Sequence, residues 1–213
     1  MKTTLGSKMI DIYKNQFKEY GHSPASLGCP KGRQGLRFKA LTRNVTNGTL
    51  LDFGCGFGDL SSYLEESKID VEYYGCDVMQ EFLSIAKKNR PNKNFFLTQI
   101  GEPLKDRYDF IIACGVFNFL YSKDKEEHIS FIYQTIESLF KCCNHSLSVD
   151  FLSSNVDFTG PDAYHQNIAD LTDFVSTKLS RRFHIDHSYM PYEFCLHIFK
   201  EQKVIRPDNV FKS

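Results

Sequence analysis

The chain has 213 residues, enough for one domain with a substantial core, and 41% of them are hydrophobic, as in ordinary globular proteins. Lysine plus arginine balances aspartate plus glutamate at 26 each, so the net charge is zero and the basic footprint of most nucleic-acid binders is absent. Seven cysteines, with no C-x-x-C spacing and with Cys142 next to Cys143, predict reduced thiols in a cytoplasmic protein without a bound metal.

The start, Met1-Lys2-Thr3-Thr4, holds no apolar signal core. The longest apolar run, Phe110 to Leu120, contains Asn118 and is too short to span a bilayer, so no membrane contact is expected. Asn44-Val45-Thr46 and Asn47-Gly48-Thr49 fit the glycosylation pattern, but without a secretory signal they read as chance matches.

Residues 1–48 read as an N-terminal helical segment, and 49–213 as a separate α/β domain. Ile10, Tyr13, Phe17 and Tyr20 form a helical stripe that ends near Gly21. A loop with Pro24, Gly28, Pro30 and Gly32 follows, and Leu36, Phe38, Ala40 and Leu41 predict a second helix to about Val45. From Thr49 on, strands at 49–53, 71–77, 94–99, 108–114 and 145–152 alternate with helices at 59–66, 79–89 and 124–143. A last helix is expected over 163–179, and two strands, Phe183–Tyr189 and Phe194–Lys200, flank a short turn. Short βα units build a parallel sheet, and a tight turn forces its two strands antiparallel. The expectation is a doubly wound, Rossmann-like sheet of seven strands, mostly parallel, closed by an antiparallel hairpin.

Chemistry concentrates at Asp52-Phe53-Gly54-Cys55-Gly56-Phe57-Gly58-Asp59, where a strand turns into a helix. Glycine reaches φ > 0 and lets backbone approach a ligand, while the helix start aims N–H groups into the same space. A dinucleotide site wants G-x-G-x-x-G, and Asp59 stands where its last glycine would fall. An acid there opposes a pyrophosphate and suits a ligand with a cation or no phosphate. Nineteen residues after Gly58, Asp77 closes the second strand, near the spacing of a carboxylate that accepts from ribose hydroxyls.

These residues resemble motif I and the second-strand acid of class I S-adenosylmethionine (SAM)-dependent methyltransferases, and the C-terminal hairpin is similar to the one that ends that fold. The resemblance covers roughly residues 49–200. It implies SAM as cofactor and S-adenosylhomocysteine as product, with Asp52, Gly54, Gly56, Gly58 and Asp77 around the amino-acid end and ribose, and Val78 and Met79 flanking the adenine. Gly101 and Glu102 follow the third strand, where the family often places an acid on the adenine amino group. Cys114 and Asn118 follow the fourth strand, beside the transferable methyl. A group of small bacterial members shows Ser-Gly-x-Phe-Asn there, and Cys114 replaces the serine. Gln34, Arg37 and Phe38 match the N-terminal helix of the same group, where Arg37 would pair with the SAM carboxylate.

Methyl transfer is an in-line displacement that needs alignment and exclusion of water, and a hydroxyl acceptor also needs a base. His165 and His187 are the candidate bases, with Tyr164, Tyr189 and Tyr192 as acceptor-pocket residues. His187, Tyr189, Tyr192, Glu193 and Phe194 match a C-terminal pattern of the group. Signatures of DNA amino-methylating, catechol-type metal-dependent and protein-arginine members are missing after the fourth strand, and no basic stripe suggests RNA. The expected acceptor is a small polar metabolite, methylated at a hydroxyl, by a monomer or homodimer. An amine acceptor and a non-catalytic SAM-binding subunit are the alternatives.

Overall fold

The computed structural model describes residues 4–29 and 32–200; the expected loop residue Pro30 lies outside them. Helix α1 (Thr4–Tyr20), a 3-10 turn (Pro24–Leu27) and helix α2 (Gln34–Leu41) precede the sheet. Strands β1 (Gly48–Phe53), β2 (Val71–Asp77), β3 (Asn94–Leu97), β4 (Tyr108–Ala113) and β5 (Cys143–Ser153) alternate with helices α3 (Asp59–Glu66), α4 (Gln80–Asn89) and α5 (Lys125–Cys142). The chain then adds β6 (His165–Gln166), α6 (Ile168–Lys178), β7 (Phe183–Asp186) and β8 (Glu193–Phe199).

The sheet runs β3-β2-β1-β4-β5-β8-β7, with β6 paired to β5 off that path. Strands β1 to β5 are mutually parallel, and β8 lies antiparallel between β5 and β7. Alternation along the strands explains the two-sided core. Leu51, Ile111 and Ala113 face α5 and α6, packing on Ile132, Ile136 and Leu171. Leu50, Phe110 and Ile112 face α2, α3 and α4, packing on Leu41, Leu60 and Leu83. The order reverses between β1 and β4, which opens a crevice at their carboxyl ends.

Where element ends depart from the expected ranges, polar side chains set them. Asp124 caps α5 by accepting from the Glu126 and Glu127 N–H groups. Asn167 caps α6 in the same way, so this helix begins at Ile168 and not at Ala163. The residues just before it run extended: Tyr164 N–H donates to Asn118 O, and β6 becomes an eighth strand on β5. Strand β7 stops at Asp186 because its Oδ1 accepts from both the N–H and the hydroxyl of Ser188. Strand β5 starts at Cys143, directly from the end of α5.

Candidate active site

The crevice at the β1/β4 switch is a cleft between the strand ends and the N-terminal segment, with about 1050 Å³ of non-atom space that includes open solvent. Its floor is the ends of β1, β2 and β4: Asp52 to Gly56, Asp77, Val78 and Cys114 to Phe117. Its roof is the N-terminal segment: Met9 and Tyr13 of α1, Leu27 and Cys29, and Gln34, Arg37 and Phe38 of α2. Tyr13 packs edge-on to Phe82 and Phe119, which anchors α1 beside the floor.

The glycine loop needs its glycines. Gly56 has φ +55, and a Cβ there would lie 2.8 Å from Leu27 Cδ2, so the roof touches the loop backbone. Asp77 ties the loop to β2: its Oδ2 accepts from Gly56 N–H and its Oδ1 from Met79 N–H, both at 2.9 Å. Each oxygen keeps a lone pair for a further donor, as ribose hydroxyls require. Burial pushes Asp77 up to about 6, against the hold of these N–H groups. Asp52, also buried, accepts from Tyr73 Oη at 2.7 Å, and desolvation with the nearby Asp77 raises it to about 7. Among the described residues, three acids, Asp52, Asp59 and Asp77, line the cleft against one guanidinium, that of Arg37. A positively charged ligand with ribose hydroxyls fits this donor and acceptor set.

Nine of the expected site residues therefore line one cleft: Gln34, Arg37, Asp52, Gly54, Gly56, Asp77, Val78, Gly101 and Cys114. The others stand elsewhere. Gly58, at φ +80, caps α3 beside the Phe95 ring. Met79 is buried with Phe57 and Phe82, and Glu102 is exposed in the turn after β3. Asn118 donates to Asp150 Oδ2 at 3.1 Å and accepts from Leu152 N–H at 3.0 Å, which fastens the end of β4 to β5. His165 Nδ1 lies 2.8 Å from Ser153 O in the β5–β6 pair, and Tyr164 donates to Gln166 Oε1 at 3.0 Å. His187 packs on Phe194, Tyr189 joins the core beside α2, and Tyr192 meets the Phe158 ring at 5.0 Å.

Two buried acids behind the cleft complete its support. Asp150, in β5, accepts from Gly115 N–H and lies 3.6 Å from Arg37 Nε. Glu193, the first residue of β8, takes Arg37 Nε at 2.7 Å and Nη2 at 2.6 Å. Burial alone would lower the guanidinium pKa, but the hydrogen bond to Glu193 and the charge of Asp150 overturn it and lock the charge in. Asp150 reads as a mere interruption of an apolar strand in the sequence, and its only signal is that a buried acid demands a partner.

Residues 51–138 match a family model described as a methyltransferase domain. A protein of Mycobacterium tuberculosis that bears a methyltransferase name is 27% identical over 154 residues, covering 70% of this chain and 91% of the relative. Among solved structures, magnesium protoporphyrin IX methyltransferase (ChlM) from Synechocystis, with bound S-adenosylhomocysteine, superposes with TM-score 0.61 at 17% identity over 94% of this chain and 98% of that one. A complex of DhpI with SAM and HEP gives TM-score 0.68 at 13% identity over 92% and 98%. At such identities the structural likeness is one of fold. Taken with the domain match over residues 51–138 and the cleft, it supports a class I SAM-dependent methyltransferase. Among the described residues no helix is long and apolar enough to cross a membrane.

Proposed function

We propose that this protein transfers the methyl group of SAM to an oxygen of a small polar metabolite. The observation that carries the reading is the roofed cleft, in which Asp77 and the glycine loop form one side and α2 closes the other. SAM supplies an activated methyl carbon, and the chain's residues bind, align and shield it. Asp77 would accept from the ribose hydroxyls, and Val78, Phe82 and Ile100 would enclose the adenine. The N-terminal segment roofs the cleft, with Leu27 against Gly56, which favours a small acceptor. The zero net charge supports the same choice of a free metabolite. The name of the Synechocystis structural relative is likewise that of an enzyme acting on a small molecule.

Calorimetric titration with S-adenosylhomocysteine tests the reading. Binding to the wild type that is lost in Asp77→Ala supports it, and no binding to the wild type removes it.

A further inference from the structure

We infer that the acceptor enters already ionised, as the carboxylate of a small organic acid, and becomes a methyl ester without a protein base. This rests on the methyltransferase reading above and narrows its acceptor.

A hydroxyl must lose its proton as it is methylated, so an enzyme acting on one presents a base to the acceptor. Among the described residues, no histidine or lysine lines the cleft. His165 is spent on Ser153 O, and His187 packs against Phe194. The three lining carboxylates belong to the cofactor side. Asp77 holds the glycine loop, Asp59 faces Arg90 at 3.0 Å, and Asp52 accepts from Tyr73 beneath the loop. Burial pushes the Cys114 thiol well above its ordinary range, so it stays protonated.

Among the described residues, Arg37 is the one cationic side chain of the lining. Glu193 occupies its Nε and Nη2 edge, which fixes the plane of the guanidinium. Nη1 has no hydrogen-bond partner among the described residues, and it lies 3.5 Å from where a Gly115 Cβ would stand, at the end of β4. One donor is thus held ready on the cleft wall. Asp150 and Glu193 balance the charge of Arg37, so Nη1 acts as an aimed donor more than as a free cation.

A carboxylate suits this arrangement because it has two oxygens. One accepts from Nη1 while the other keeps its lone pair for attack. An alkoxide has a single oxygen, which a donor would damp, and an ammonium has no lone pair with which to accept from Nη1. The step balances without a proton. An oxygen lone pair forms the O–CH3 bond, and the C–S bond breaks with its electrons left on sulfur. A carboxylate and a sulfonium become a neutral ester and a neutral thioether. Loss of opposite charges is favoured in a dry apolar site, and Leu27, Phe38, Val116 and Phe117 wall this one.

The test begins with S-adenosylhomocysteine alone, since its failure to bind would overturn the methyltransferase reading and this proposal together. The loaded protein is then titrated with benzoate, benzyl alcohol and benzylamine, three probes that share a ring, and with hexanoate and hexanol. The expected result is uptake of the acids and weaker or no uptake of the alcohols and amine. In Arg37→Lys, which keeps a cation beside Asp150 and Glu193 but removes the Nη1 donor, the ratio of acid affinity to S-adenosylhomocysteine affinity should fall roughly tenfold or more. With saturating SAM, the acid should yield an alkali-labile methyl ester at a rate independent of pH between about 7 and 9, as expected of a carboxylate nucleophile. Preference for the alcohol or amine, or no uptake of either acid, overturns the proposal and leaves cofactor binding standing. So does loss of S-adenosylhomocysteine affinity in Arg37→Lys with acid uptake unchanged, because the guanidinium would then serve the cofactor.

Discussion

Arg37 Nη2 and Nε grip the two carboxylate oxygens of Glu193 at 2.6 and 2.7 Å, joining α2 to the last strand across 156 residues of chain. Both side chains are nearly buried, at 11% and 6% exposure, so the pair is shielded from solvent. It is the fastening that holds the roof of the cleft to the sheet, with Arg43 and Asp186 adding a second, more exposed pair at 3.0 Å.

Removing one partner of a buried pair strands the other charge, which typically costs about 3–5 kcal/mol. Glu193→Ala leaves Arg37 beside Asp150, so it is expected to lower stability by less than that, about 1–3 kcal/mol, as read from urea unfolding. Arg37→Met, which strands both Glu193 and Asp150, should cost more, about 3–5 kcal/mol. An equal or smaller loss for Arg37→Met than for Glu193→Ala would show that the buried acids carry no such charge penalty.

The local parts of this fold were legible in the sequence. Val71 to Asp77 reads as a strand that ends in an acid, and the structure gives β2 those bounds. Ile129, Ile132, Ile136, Leu139 and Phe140 recur at the helical period, and they pack as one face of α5. Element ends were less legible where a cap decides them, as Asn167 does for α6, because cap residues are equally at home in loops. The Arg37–Glu193–Asp150 cluster was illegible as a cluster. Long-range ion pairs have no period, and Glu193 gave only a match to a turn pattern. The histidines gave the opposite lesson. Their chemistry singles them out in a sequence, yet nothing local tells a cleft position from the β5–β6 pairing that occupies His165.

Gly56 and Gly58 look equivalent in the motif, and the structure separates them. A Cβ on Gly58 would lie 2.8 Å from Phe95 Cζ at a φ of +80, away from the cleft lining. Gly58→Ala should destabilise by about 2–4 kcal/mol, from left-handed strain plus overpacking, with S-adenosylhomocysteine affinity held within about threefold. A Cβ on Gly56 would meet only the flexible end of Leu27, so Gly56→Ala should cost about 1–2 kcal/mol. It would stand in the cleft, however, and cut affinity roughly tenfold or more. Denaturation and calorimetry on the two variants check the split, and equal affinity losses would contradict it.

Asp52 makes the ligand-free protein sensitive to alkali. Its carboxyl titrates at about 7 in the folded chain against 3.8 ordinarily, so the folded state holds a proton that the unfolded state has released. Its contribution is full below about pH 4 and is lost as pH rises through 7, at up to about 1.4 kcal/mol per pH unit. His197 works in the other direction: burial and the neighbouring His184 lower it from 6.5 to about 4, so its contribution falls as pH drops through that window. Asp52→Asn keeps an acceptor for Tyr73 and removes the first trend. The variant should be more stable than wild type at pH 8, and its urea midpoint should drop more steeply on acidification from pH 6 to pH 5. Parallel pH profiles for the two proteins would show that Asp52 does not titrate in this range.

Asp77 links cofactor binding to pH. The ligand-free carboxyl titrates at about 6, because burial outweighs the Gly56 and Met79 N–H groups, and ribose hydroxyls donating to it would favour the ionised form. Binding must then expel a proton from the fraction that carries one. S-adenosylhomocysteine affinity is expected to be level above about pH 7 and to fall about tenfold per unit well below 6. Near pH 6 about half a proton should leave on binding, so the measured enthalpy should vary with the ionisation heat of the buffer. Asp77→Asn should bind more weakly, by roughly ten- to a hundredfold for the lost charge-assisted hydrogen bonds, and should show neither the pH slope nor the buffer dependence. The slope and the weakening share one cause, so a variant that weakened binding yet kept the slope would place the titrating group elsewhere in the cleft, with Asp52 the next to test.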